Sequence, residues 1–225
     1  MRIISQEDIP LIGIHCLATD RFALVPASFF SRGNRFIERV RKCLDVPLIP
    51  TMVYNSPLIG MFSAGNSRGV IITSLSNRPE NIPQDIPVTL MHTSDNYTAL
   101  GNLILANNRG AIIAPGFSRE SEGIIGKALG VPVVKSTLAG LETVGSCGIA
   151  TDEGAVVHPE ATEAEIRLVE KTLGVRVGIG TLNHGNPFSG ACGIANINGA
   201  IVGSATTPIE ITRFESALQG NPLDA

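Results

Sequence analysis

A tetrapeptide occurs twice without change: Cys147-Gly148-Ile149-Ala150 returns as Cys192-Gly193-Ile194-Ala195, 45 residues later. An internal period of that length restricts a chain to repeat architectures more firmly than any bulk property. Glycines extend the pattern. Gly145 and Gly154 stand nine apart, and so do Gly190 and Gly199, Gly101 and Gly110, and Gly60 and Gly69. With Gly13, the leading glycines are Gly13, Gly60, Gly101, Gly145 and Gly190, separated by 47, 41, 44 and 45 residues. Phe22, nine after Gly13, stands where the pattern calls for glycine.

Each period has one inner grammar. A short apolar run such as Leu103-Ile104-Leu105-Ala106 is followed by a polar turn, as in Asn66-Ser67-Arg68-Gly69, Asn107-Asn108-Arg109-Gly110, Thr151-Asp152-Glu153-Gly154 and Asn196-Ile197-Asn198-Gly199. A closing glycine free to take positive φ suits a hairpin. A second apolar run follows, apolar enough to imply burial on both faces. A helical segment comes next. Ile166, Val169 and Leu173 repeat at helical spacing. Thr162 with Glu165, and Thr207-Pro208-Ile209-Glu210, read as capped helix starts. Third extended runs end at Thr51, Thr93, Thr137 and Thr181, eight or nine residues before the next leading glycine.

The fifth period lacks a third run, yet Arg2-Ile3-Ile4-Ser5 is extended, unassigned, and ends eight residues before Gly13. The N-terminal run is therefore expected to complete the C-terminal unit. The expected fold class is α/β: five βαββ units, pseudosymmetric, closed into a propeller-like ring with strands inside and helices outside. The units cover about 12–57, 58–98, 99–142, 143–187 and 188–220, with 1–6 completing the last, in one domain spanning 1–225. Closure would leave no open sheet edge between first and last units.

Composition bounds the function. Hydrophobic residues are 44% and charged residues 16% of the 225, which suits a packed core and excludes disorder. The net charge of −3 argues against a protein that grips DNA or RNA through phosphates alone, so any RNA contact must be local or supported by a protein partner. Charge is uneven: residues 1–57 carry a net +2 and the rest −5. Arg32, Arg35, Arg39 and Lys42 form a basic stripe at helical spacing, either a solvated face or a local rRNA contact. No secretory h-region and no apolar run near the ~20 residues of a membrane span appear, so a cytoplasmic protein without membrane association is expected. Cys16, Cys43, Cys147 and Cys192 form no CxxC pair, and the four histidines show no metal-ligand spacing, so no metal or cofactor is expected.

Beyond this grammar, several segments carry a resemblance: Gly65-Asn66-Ser67-Arg68-Gly69, Thr98-Ala99-Leu100-Gly101-Asn102, Val156-Val157-His158-Pro159 and Gly180-Thr181-Leu182-Asn183-His184-Gly185. Five βαββ units closed by an N-terminal strand describe the pentein fold, and from about Ile3 to Leu218 the chain resembles the translation initiation factor 6 family. Ending at Ala225, without the extended polar tail of eukaryotic members, it looks closest to the archaeal branch. The resemblance implies a non-enzymatic factor, expected to be monomeric. It would bind the joining face of the large ribosomal subunit, near the sarcin–ricin loop of rRNA and its neighbouring ribosomal proteins. It would block the small subunit and take part in large-subunit biogenesis. The implied contact edge carries Gly60, Gly101 and the residues after the leading glycines: Ile14, Met61, Asn102, Ser146 and Ala191. Asn102 matches a family interface position, whereas eukaryotic relatives carry arginine where this chain has Met61.

Penteins also include guanidine-modifying hydrolases and transferases. That alternative would use Cys192 as nucleophile and His158 as acid/base. Against it, Cys147 repeats Cys192 at the same unit position, which suits packing.

Overall fold

The computed structural model describes residues 1–222 apart from 7–8, 32–33 and 93–94. Arg32 of the basic stripe and Thr93 at the end of a third run lie outside the described residues.

The chain starts with β1 (Arg2–Gln6). The first unit holds α1 (Ile12–His15), β2 (Leu17–Ala18), β3 (Ala23–Pro26), α2 (Ala27–Ser31), α3 (Asn34–Leu44) and β4 (Leu48–Thr51). The second holds α4 (Ile59–Phe62), β5 (Ser63–Asn66), β6 (Gly69–Thr73) and β7 (Val88–Met91). The third has α5 (Leu100–Leu103), β8 (Ile104–Ala106), β9 (Ala111–Ile113), α6 (Arg119–Leu129) and β10 (Val133–Lys135). The fourth has β11 (Gly148–Ala150), β12 (Gly154–Val157), α7 (Glu163–Leu173) and β13 (Arg176–Ile179). The fifth has α8 (Ser189–Cys192), β14 (Gly193–Ala195), β15 (Gly199–Gly203) and α9 (Pro208–Leu218).

These strands make five three-stranded sheets. In each, the first two strands pair antiparallel and the third joins the middle strand in parallel. The middle strands β3, β6, β9, β12 and β15 are buried along their whole length, as their unbroken apolar runs imply. The fifth sheet takes its third strand from the other end of the chain: β1 lies parallel to β15, Arg2 opposite Gly199 and Gln6 opposite Gly203. First strands of successive sheets adjoin one another, and β14 adjoins β2. Buried apolar clusters bridge each unit to the next, and one of them joins Ile194 and Ile201 to Ile12, Val25 and Val40.

The leading glycines explain this spacing. Gly13, Gly60, Gly101 and Gly190 stand in single helical turns and Gly145 in a turn before β11, and none takes positive φ, so left-handed geometry is not why they are glycine. A Cβ on Gly60 would lie 1.9 Å from the carbonyl oxygen of Gly13, and one on Gly101 1.7 Å from that of Gly60. The series continues at 2.0 Å from Gly145 to Gly101, from Gly190 to Gly145 and from Gly13 to Gly190. The contacts return to their starting residue. No side chain fits anywhere along them. A cavity of about 110 Å³ lies between the first strands, bordered by these glycines.

The hairpin glycines also differ from expectation: Gly69, Gly110, Gly154 and Gly199 do not use positive φ. A Cβ on Gly110 would lie 2.1 Å from the carbonyl oxygen of Thr172 in α7, on Gly154 2.0 Å from that of Ala217 in α9, and on Gly199 2.3 Å from that of Cys43 in α3. Each hairpin is thus crowded by the helix of the following unit.

The sequence grammar calls for a helix between the second and third strands of every unit, and the second unit has none there. Residues 74–87 run from β6 to β7 in turns. Pro79, Pro83 and Pro87 recur every four residues, removing donors and clashing with the preceding turn. Ile82 and Ile86 from this segment are buried against Phe22, Leu24 and Ile49. Arg78 Nη2 donates to the carbonyls of Ile82, Pro83 and Ile86 at 3.3, 3.0 and 3.3 Å. The exceptional Phe22 now has a cause. The following unit has no helix between its second and third strands to crowd it, so a side chain fits, and it is buried.

Gly101→Ala is expected to lose more than about 3 kcal/mol of stability, beyond ordinary overpacking, because its Cβ meets backbone rather than a side chain that can move. Gly123→Ala, in α6 with nothing within 4 Å of the new atom, should gain about 0.5–1 kcal/mol. Urea unfolding of the pair checks both signs.

Candidate functional site

The molecule presents two edges. At the hairpin-turn edge the asparagine and arginine side chains are used internally. Asn66 Nδ2 donates to the carbonyls of Asn107 and Leu129 at 3.0 and 2.9 Å. Asn107 repeats this to Thr151 and Leu173 at 3.0 and 2.9 Å, and Asn196 to Thr19 and Leu44 at 3.1 and 2.8 Å. Asn108 Nδ2 donates to both Asp20 and Asp152 at 2.9 Å. The guanidinium groups of Arg68 and Arg109 each cap a neighbouring helix, donating at 2.6 Å to the carbonyls of Gly130 and Gly174.

At the glycine edge the sequence-derived residues stand on the helical turns: Ile14 on α1, Gly60 and Met61 on α4, Gly101 and Asn102 on α5, Ser146 in the turn before β11, and Ala191 on α8. Apart from the glycines' backbone contacts, these side chains are half-buried. Backbone bonds link them: the N–H groups of Gly145 and Ser146 donate to the Asn102 carbonyl at 2.9 and 3.3 Å, and that of Gly190 to the Ser146 carbonyl at 3.0 Å. Among the described residues the side chains of Asn102 and Ser146 form no hydrogen bond and are not sealed from solvent. They are available to a partner.

Sequence reading misses a second feature of this edge. Met52, Tyr54, Leu75 and Leu141 are 44, 55, 47 and 36% exposed, and all stand in loops that lead into or flank the helical turns. Tyr54 N–H donates to Ser76 Oγ at 3.0 Å, which joins two of those loops. Tyr54 also packs edge-on against Phe62 of α4, centroids 6.4 Å apart. Only the loop position, just before a leading glycine, hints at this in the sequence.

The loops themselves are pinned by the helix-capping glutamates. Both capping boxes form. Glu165 Oε1 accepts from Thr137 Oγ1 at 2.8 Å and from Gly140 N–H at 3.2 Å. Glu210 Oε1 accepts from Thr181 Oγ1 and Gly185 N–H, both at 2.8 Å. Burial by itself would raise these carboxyls. The hydrogen bonds from Thr162, Gly140 and Thr137, and from Thr207, Gly185 and Thr181, outweigh it and hold each at about 2. In the third unit, Asp95 takes the same part from the loop side, accepting from Ser118 N–H at 2.9 Å and from the Ser121 hydroxyl, and these bonds lower its pKa.

The hydrolase alternative finds little support in the geometry. Cys192 is fully buried, and burial pushes its thiol up to about 11, so it carries a proton at neutral pH. His158 is buried too. Its Nδ1 accepts from Glu160 N–H at 3.1 Å, and its ring packs on Phe188. Among the described residues no three His, Cys, Asp or Glu side chains gather as a metal site, and no helix is long and apolar enough to cross a membrane.

Five three-stranded sheets are joined through a backbone-linked glycine edge. The eIF-6 family model matches residues 1–217. The chain is 36% identical over 191 residues to translation initiation factor 6 of Thermococcus onnurineus, covering 82% of each chain. It is 36% identical to that of Pyrococcus abyssi, covering 82% of this chain and 83% of the relative. It is 34% identical over 190 residues to that of Methanosarcina acetivorans, covering 84% and 85%. The chain belongs to the eIF-6 family of translation initiation factors.

Glu165 and Glu210 predict an acid limb of stability. A carboxyl lowered on folding from 4.5 to about 2 stabilises the fold above pH 4.5, and that contribution is lost as pH falls towards 2. The urea midpoint should therefore drop across this window. Glu165→Gln with Glu210→Gln should lower the midpoint at neutral pH and flatten the acid limb.

Proposed function

We propose that this chain binds the large ribosomal subunit at its joining face through the glycine edge and prevents premature association with the small subunit. It would act as a monomer in the cytoplasm, without cofactor and without catalysis, and also during large-subunit biogenesis. Its surroundings there would be ribosomal proteins and the sarcin–ricin loop region of rRNA. The architecture suited to this is one pentein domain over 1–225, a closed propeller-like ring of five units. Such a frame presents a broad surface with little left to order on binding.

The observation that carries this reading is the contrast between the edges. Asn66, Asn107, Asn108, Asn196, Arg68 and Arg109 of the turn edge spend their side chains on internal hydrogen bonds, whereas the amide of Asn102 and the hydroxyl of Ser146 have no partner among the described residues and are not sealed from solvent. Met52, Tyr54, Leu75 and Leu141 are exposed in the loops that lead into or flank the helical turns. Apolar anchors beside free hydrogen-bonding groups are what a protein interface uses. Gly60, Gly101, Ile14, Met61 and Ala191 would supply the close-approach floor of the contact.

Asn102→Arg tests the choice of edge. It should weaken cosedimentation with purified large subunits by about tenfold or more, as loss of a central interface residue does, with an unchanged melting temperature. Undiminished binding by the folded variant would place the contact elsewhere.

A further inference from the structure

The basic stripe of α3 belongs to neither edge. Arg35, Arg39 and Lys42 fall at i, i+4 and i+7 and are all exposed, while Ile37, Val40 and Leu44 bury the opposite side. Packing adds a fourth cation that the helical pattern does not contain. β1 lies along α3, with Arg39 Nη2 donating to the Ser5 carbonyl at 3.4 Å and Arg2 Nη1 to the Lys42 carbonyl at 2.9 Å. Arg2, Arg35, Arg39 and Lys42 therefore share one patch built from the chain's first strand and first long helix.

No carboxylate among the described residues pairs with any of the four. The nearby acid Glu38 is engaged by Arg41 at 2.5 Å. The positive field reaches inward: burial raises the Cys43 thiol, and Arg2 and Arg39 both act to pull it down. Like charges one turn apart on a helix destabilise it by a few tenths of a kcal/mol per pair, which a bound anion would relieve. It is also out of keeping with a chain of net charge −3.

The patch is placed beside the glycine edge. Phe29 of α2 packs 6.2 Å from the ring of His15, next to Ile14, and 5.6 Å from Phe36 on the first turn of α3. The far end of α3 reaches the opposite edge, where the Cys43 carbonyl crowds Gly199. The cations span about 10 Å along the helix, running down the outer wall from the edge that meets the ribosome.

We propose that Arg2, Arg35, Arg39 and Lys42 bind the phosphate backbone of an rRNA segment that flanks the large-subunit face occupied by the glycine edge. This rests on the reading in the previous section. The contact is electrostatic and independent of base sequence: it adds affinity and fixes orientation, while the edge supplies the specific contacts.

The test compares wild type with Arg35→Gln/Arg39→Gln/Lys42→Gln. Binding to purified large subunits is titrated across a KCl series, with hydroxyl-radical footprinting of the rRNA backbone and a melting temperature for each protein. The log–log salt slope of the triple variant should be shallower by about two to three, and one protected rRNA stretch should disappear while the variant stays folded. An unchanged slope would overturn the proposal and leave the edge reading intact. A shallower slope with no rRNA protection lost would overturn it in favour of an acidic protein segment. Failure of the wild type to bind at any salt would overturn the edge reading itself, and this inference with it.

Discussion

The contact on which the structure depends is a carbonyl oxygen standing where a side chain would begin. From Gly13 through Gly60, Gly101, Gly145 and Gly190, each glycine meets the backbone of the previous one within 2.0 Å of where a Cβ would stand, and the series returns to its start. Backbone packed on backbone fixes the distance between units more tightly than side chains could, because it has no rotamers to adjust. The helical turns that carry these glycines are held level with one another, and Asn102, Ser146 and the neighbouring loops are therefore presented as one surface. Opposite them, the Asn66, Asn107 and Asn196 amides staple hairpin to hairpin. The units are thus joined at both edges, by backbone contact at one and by side-chain amides at the other.

Three departures from the repeat have one origin. The second unit replaces its helix with a proline-punctuated loop. The preceding hairpin is then uncrowded, and Phe22 occupies the space that a helix denies to side chains at Gly110, Gly154 and Gly199. Without that helix there is also no capping glutamate. Thr137 and Thr181 donate to Glu165 and Glu210, but the equivalent Thr51 hydroxyl is buried without a partner, and Ser76 takes over only the neighbouring backbone N–H. An orphaned buried hydroxyl costs about 1–3 kcal/mol. The same loop is joined to Tyr54 through Ser76, and both Leu75 and Tyr54 are exposed.

Much of this was legible in the sequence because it is local. Hairpins, the capping boxes at Thr162 and Thr207, and the unassigned run at Arg2 follow from short-range chemistry, and the structure pairs that run with β15. What was not legible depends on neighbours distant in sequence. Glycine suggests a turn, whereas these glycines answer to carbonyls about 45 residues away. The missing helix was foreshadowed by Pro79, Pro83 and Pro87, but the regular grammar of the other units masked it. The edge residues after the leading glycines could be named from spacing and resemblance, while the loops of Tyr54 and Leu75 come together only through folding, by the bond from Tyr54 N–H to Ser76 Oγ. Arg2 joins the basic patch for the same reason.

The chain belongs to the eIF-6 family, and under the proposed function a rigid face would occupy the large subunit where the small subunit would dock. Sucrose-gradient analysis of separated subunits mixed under association conditions, with and without the protein, tests it most directly. The account predicts that the protein migrates with the large subunit and that the joined-ribosome peak shrinks in proportion to occupancy. Protein found with joined ribosomes, or an undiminished joined peak at full occupancy of the large subunit, would contradict it.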